Sequence, residues 1–190
     1  MDYRDALAWQ KQVTPQNRAS IQETYNFDVF YFSRLFGPRF TAQNYPLTAR
    51  FFSKLSATAN AMVSQLKNHY KRPRPFVTHP AIHLLVPNEP GYSYPSGHTT
   101  RSRLSAMVLA ELIPSASREI MRTAEVVATD RILAGEHYQT DVEAGRHLAK
   151  LIFRSLNADP SFRHDLETLK ASSEWTPSPS LHPQQREPIL

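Results

Sequence analysis

Six prolines stand between Arg72 and Ser96: Pro73, Pro75, Pro80, Pro87, Pro90 and Pro95. Each removes a backbone donor, fixes φ and pushes its predecessor out of the helical region. The segment is therefore predicted to be an ordered, mostly extended loop and cannot be a long helix. On both sides of it apolar residues recur at helical spacing, and no run alternates with the period of a strand. With only five glycines in 190 residues, the chain reads as all-α, two groups of helices joined by one stiff loop.

Upstream of the loop the pattern predicts a short helix over Ala6–Gln12 and a longer one over Arg18–Phe36. The longer one carries Ile21, Tyr25, Val29 and Phe32 on one stripe and is stopped by Gly37-Pro38. A third helix is predicted over Leu47–Tyr70, striped by Phe51, Leu55, Met62, Leu66 and Tyr70. Downstream, helices are predicted over Gly97–Leu112, Ser115–Leu133, Tyr138–Leu156 and Pro160–Ser172, the last opened by the capping pair Asp159-Pro160. From Thr176 onward prolines recur and apolar residues are few. Residues 1–175 are thus expected to form one helical domain and 176–190 a tail the core does not need. There is no internal repeat.

The formal net charge is +5 and the pI about 9.6, a balance suited to nucleic acid, an anionic membrane surface or phosphorylated small molecules. The absence of cysteine excludes disulfides and thiol chemistry. No apolar run approaches the roughly 18 residues of a membrane span, and Met1–Asp5 lacks the apolar stretch of a signal peptide.

Three short constellations carry chemistry. In Gly91–Thr99, Ser96 is a good N-cap, so the helix that follows presents orphan N–H groups and a positive dipole end to an anion. Gly97 lets an oxyanion approach the backbone, and His98 stands at the rim, able to exchange a proton. In Lys67–Pro75, Pro73 and Pro75 hold Arg74 on a stiff backbone, where its planar fork suits phosphate oxygens, and Lys67 adds a mobile charge. A solvated basic helix end is the plainer alternative. In Asp130–Asp141, His137 and Asp141 are one helical turn apart, so a carboxylate can fix the imidazole tautomer and leave the other nitrogen free to attack. Gly135 permits a bend that turns Arg131 and His137 to one pocket. The plainer alternative here is a capping box, Thr140 with Glu143.

Together these read Lys-x6-Arg-Pro, Pro-Ser-Gly-His and Arg-x5-His-x3-Asp. The set resembles the phosphatidic acid phosphatase type 2 superfamily, which includes bacterial class A non-specific acid phosphatases and vanadium-dependent haloperoxidases. The surroundings look most like the class A acid phosphatases, in His69-Tyr70-x-x-x-Arg74-Pro75-Phe76, Ser93–Thr99 and Gly135-x-His137-x-x-x-Asp141-Val142-x-Ala144-Gly145-Arg146. The resemblance runs from about Phe51 to Ala171. Asp130 departs from it, standing where a small residue is usual. So do Arg101 and Arg103, with Arg101 at the expected lip of the pocket.

The resemblance implies a helical bundle of the acid phosphatase/haloperoxidase type. It implies a metal-independent phosphomonoesterase with phosphotransferase as a side activity, and vanadate as a phosphate-mimicking inhibitor. Lys67, Arg74, Arg131, Ser96 and Gly97 would hold the phosphoryl oxygens. His137 would attack phosphorus, Asp141 would orient it, and a protonated His98 would protonate the leaving group. Small phosphorylated substrates, a homo-oligomer and a periplasmic or secreted location are implied too, with neither nucleic acid nor a membrane span as partner. The alternatives are a vanadium haloperoxidase on the same scaffold and a non-enzymatic basic module for nucleic acid.

Overall fold

Several of the helices begin where the sequence supplies a side-chain cap or a first-turn proline. In the computed structural model, which describes residues 2–176, α1 spans Asp2–Gln10 and α2 Pro15–Tyr25. Thr14 and Asn17 cap α2 reciprocally, and Pro15 occupies a first turn where its missing N–H is not needed. The single helix predicted over Arg18–Phe36 is broken. After α2 ends, the Asp28 carboxylate takes the Phe30 N–H at 2.7 Å. This opens a 3₁₀ turn, Val29–Phe32, which runs into the one-turn α3, Ser33–Phe36. The reason is burial: Phe27, Val29, Tyr31 and Phe32 are all inside, and one straight helix would spread them around its circumference.

α4, Pro46–Tyr70, is the longest helix and ends on Lys71 in a left-handed conformation with φ 48°. The proline-rich loop is extended as predicted except for one turn, α5, Pro75–Thr78, which proline at its first position favours. The rest is pinned by backbone partners. The Ser93 N–H donates to the Arg72 carbonyl at 2.9 Å and the Leu85 N–H to the Ala134 carbonyl at 3.0 Å. The side-chain amide of Gln10, on α1, bonds both the N–H and the carbonyl of His83.

α6, Gly97–Leu112, is the central element. It packs against α4, α7 (Ser117–Leu133) and α8 (Gln139–Asn157), and its buried residues lie all round it, from His98 and Thr100 to Leu104 and Leu109. A 3₁₀ turn over Pro114–Ala116 delays the start of α7 by two residues relative to the prediction. α9, Pro160–Ala171, closes on α8. The main core gathers Phe32, Phe40, Phe52, Leu109, Ile120, Ile152 and Trp175. A smaller one joins Ile21 of α2 to Leu133 and Val86.

One close approach fixes the site. A Cβ on Gly145 of α8 would lie 2.8 Å from the Ser96 carbonyl oxygen, so α8 meets the start of α6 nearly backbone to backbone. Among the described residues no strand occurs, and no helix is long and apolar enough to cross a membrane. The predicted tail beyond Thr176 lies outside the described residues.

Candidate active site

Three chain segments converge at the N-terminus of α6. The first is the end of α4 and its exit. Lys67 lies on the last turns and is half-buried, while Arg74, held between two prolines, is buried. Arg74 Nη1 stands 3.5 Å from His137 Nε2 and donates to the Glu136 carbonyl at 3.4 Å. The second segment is the cap itself. Ser96 Oγ, fully buried, accepts from the Thr99 N–H at 3.4 Å and from the Thr99 hydroxyl at 3.0 Å, which leaves its own proton to offer. A Cβ on Gly97 would make only ordinary contacts, 3.4 Å to Arg101 Nη1 and 3.5 Å to Val63. Arg101 and Val63 therefore border this position at van der Waals distance.

The third segment is the end of α7 and the turn into α8. Arg131 donates to the Ile21 carbonyl at 3.0 Å and to Thr24 Oγ1 at 2.8 Å, so α2 aims its guanidinium. The bend expected at Gly135 is present: φ is 77°, and a Cβ would sit 2.6 Å from the His83 carbonyl oxygen. The turn carries His137 back beside Arg131, with the His137 N–H on the Arg131 carbonyl at 3.3 Å. His137 Nδ1 faces Asp141 Oδ2 at 3.5 Å, longer than an aligned hydrogen bond.

Asp141 is fully buried and doubly held: Arg72 Nη1 donates to Oδ1 at 2.7 Å and the Tyr138 N–H to Oδ2 at 2.9 Å. α8 therefore starts at Gln139 with Tyr138 as its cap, and Thr140 is not the N-cap that the capping-box alternative required. The Asp141 carboxylate serves the helix start and faces the imidazole at once.

Burial sets the protonation of the group. His137 is held down to about 4, chiefly by desolvation, so it is neutral with one ring nitrogen unprotonated. His98 is pushed well below its usual value by burial and then by Arg101 and Arg131. Its Nε2 donates to the Tyr25 carbonyl at 2.9 Å, which leaves Nδ1 as the acceptor of the neutral ring. The acid form expected of His98 is thus not the resting form of the free site. Lys67 is held down to about 8, by burial and then by Arg74.

Lys67, Arg74, Ser96, Gly97, His98, Arg131, His137 and Asp141 come together at this one place. Asp130 does not face the pocket: its carboxylate accepts from Ser20 and Thr24 of α2 at 2.7 and 2.8 Å, and burial raises its pKa. Arg101 donates to Asn60 at 2.9 Å and feels both Glu89 and Arg131, a position at the lip. Sequence reasoning missed two acids. Glu136, inside the third motif, is fully buried, with Oε1 3.6 Å from Arg74 and Oε2 3.4 Å from Arg131. Glu89, in the loop, lies 3.7 Å from Arg74. Glu89, His98 and Glu136 bring donor atoms within 4.8 Å of one another, but both carboxylates are already met by guanidinium groups. The signal available for Glu136 was its position between Gly135 and His137; for Glu89 there was none.

The PAP2 superfamily pattern matches residues 50–163, a span that contains all three motifs. An acid phosphatase of Zymomonas mobilis is 33% identical over 133 residues, 68% of this chain and 50% of that protein. A non-specific acid phosphatase of Salmonella typhimurium is 32% identical over 149 residues, 73% of this chain and 58% of that protein. The chain thus spans little more than half the length of these curated relatives. In three dimensions it is similar, with a TM-score of 0.58 at 20% identity and 83% of each chain covered, to the crystal structure of a transmembrane PAP2 type phosphatidylglycerolphosphate phosphatase from Bacillus subtilis. Helical fold, motif spacing and converging site agree with the sequence match: the chain belongs to the PAP2 superfamily.

Proposed function

We propose that this chain is an acid phosphatase that hydrolyses phosphomonoesters through a phosphohistidine at His137. The observation that carries the reading is the setting of His137. It is a buried, neutral imidazole with Nε2 beside the Arg74 guanidinium and Nδ1 toward a carboxylate that Arg72 holds in place. Such a ring is nucleophilic at one nitrogen and braced at the other.

Lys67, Arg74 and Arg131, with the Ser96 hydroxyl and the Gly97 N–H, hold the phosphoryl oxygens and neutralise charge that spreads over them in the transition state. His137 Nε2 attacks phosphorus as the bond to the leaving oxygen breaks. His98, protonated at Nδ1, gives that oxygen its proton. The anion supports this form, because a phosphoryl group close to His98 offsets the cations that depress it in the free site. His98, now neutral, takes a proton from water as the water attacks the phosphohistidine, releasing phosphate. An alcohol in place of that water makes the same step a phosphotransfer. Three cationic side chains can neutralise the phosphoryl group without a metal, which supports a metal-independent reaction. A periplasmic or secreted location and homo-oligomeric assembly belong to the same reading, as what the family resemblance implies.

The test is trapping. Enzyme given a labelled phosphomonoester and quenched in alkaline detergent should retain a phosphoryl group that acid then releases, and His137→Ala should retain none and turn over nothing while its helical circular dichroism persists. Vanadate should inhibit competitively, and EDTA should leave turnover unchanged. Equal phosphoenzyme in the variant would move the nucleophile elsewhere.

A further inference from the structure

The two guanidiniums assigned to the phosphoryl group already hold an anion. Glu136 lies between Arg74 and Arg131, and its Oε1 has no hydrogen-bond partner although the side chain is fully buried. Glu89 shares the same cations, but its side chain is about a third exposed and lies 3.7 Å from Arg74, so it can turn out to solvent when a ligand enters. Glu136 has no such exit. It is enclosed on the turn behind Gly135, whose own position against the His83 carbonyl is tight. A phosphoryl group seated on Arg74 and Arg131 therefore comes to rest against the Glu136 carboxyl.

We propose that Glu136 is part of the phosphoryl-binding site, where its carboxyl takes up a proton as the anion enters and donates it in a hydrogen bond to one of the anion's oxygens. The proposal rests on the phosphatase reading above for the identity of the anion. Two oxyanions in contact inside a protein do not both stay ionised, and the neutral carboxyl turns repulsion into a short donor–acceptor contact. The charged and titratable groups facing Glu136 are Lys67 from α4, Arg74 and Glu89 from the loop, the His98 imidazole from α6, Arg131 from α7 and, through His137, Asp141 at the start of α8. The cations favour its carboxylate while the site is empty; burial, first, and Glu89 work against it, raising its pKa. An arriving dianion neutralises the same cations and completes the shift. The proton comes from solvent, so binding is written as carboxylate plus anion plus one proton.

Sulfate is the probe, because it stays a dianion from about pH 5 to about pH 8 and any proton taken up belongs to the protein. Its affinity for the wild type should fall with rising pH more steeply than for Glu136→Gln, by up to roughly tenfold more per pH unit, with the variant the tighter binder at the alkaline end. Calorimetry in two buffers of different ionisation heat should show the wild type taking up about one proton more than the variant. Parallel pH profiles and equal proton uptake would overturn the proposal. Wild-type protein alone also decides it: sulfate should bring up the carbonyl stretch of a neutral carboxyl in the infrared difference spectrum, and a spectrum without it refutes the idea even if Glu136→Gln fails to fold. A protein that shows the band and hydrolyses no phosphomonoester would defeat the phosphatase reading and leave this one standing.

Discussion

Acidification should unfold this protein in part through His137. Its folded pKa of about 4 lies below the ordinary 6.5 because the ring is buried, so between those values the unfolded chain binds a proton that the native one refuses. The sign follows: the histidine contributes stability that is fully present above pH 6.5 and is lost as pH falls through about 4. At about 1.4 kcal/mol per pH unit of separation, the loss attributable to His137 is about 3 kcal/mol by pH 4. His98 works in the same direction. Glu136 and Asp130 work in the other, since burial raises both and the native state then binds their protons more readily. The His137→Asn variant isolates the one group. Urea unfolding of both proteins at steps from about pH 7 to about pH 4 should show the wild type losing about 3 kcal/mol more than the variant over that range. Curves that stay within about 1 kcal/mol of parallel would mean that the ring is protonated, or hydrated, in the native site, and a protonated ring cannot be the nucleophile. With His137 as the proposed nucleophile, the acid limb of kcat/KM is expected near pH 4 in a pH-rate profile.

Arg72 holds Asp141 from one side and Asp2 of α1 from the other, each at 2.7 Å. Arg72→Leu should lower kcat by roughly 10²-fold or less through a misplaced imidazole while KM moves little; a raised KM with normal kcat would put Arg72 on the substrate instead. Trp175 is buried against Phe40 and Tyr45, and its indole N–H donates to Thr48 Oγ1 at 2.8 Å. Trp175→Ala should cost about 3–5 kcal/mol and lower Tm by roughly 10 °C, with kcat/KM intact at low temperature; an unchanged Tm would show that the domain ends before this residue.

The parts of the fold legible in the sequence were those fixed by neighbours in the chain. The Ser96 cap, the end of α4 at Tyr70 before the proline-rich loop, the bend at Gly135 and the start of α9 at Asp159-Pro160 each depend on a few adjacent residues, and each is found where the pattern put it. The three motifs were legible for the same reason, because a cap, a stiff exit and a helical turn are local objects. What escaped were partners far apart in sequence. The Asp28 cap that breaks the predicted helix serves four aromatic and aliphatic residues whose common inside is defined by the rest of the bundle. Asp130 finds its place through hydroxyls 110 and 106 residues upstream, and His98 is tied to a carbonyl 73 residues away. A carbonyl acceptor has no residue identity, so no sequence pattern can announce it.

Protonation is further from the sequence still. The motifs name the groups that share the pocket, but how many protons they carry depends on their summed field and on the water they have lost. Lys67, Arg131, His98, His137 and Glu136 lie close enough that a proton gained by one changes the others. In the free site burial favours the neutral form of both imidazoles, and the carboxyl groups of Glu136 and Glu89 lie beside the cations. On the proposed phosphatase reading, a phosphoryl anion would take over those cations next to both His98 and Glu136. The acid that such a reaction needs would then be made by the substrate's own charge at the moment of binding, which reconciles that reading with a resting site whose histidines are both held toward the base form.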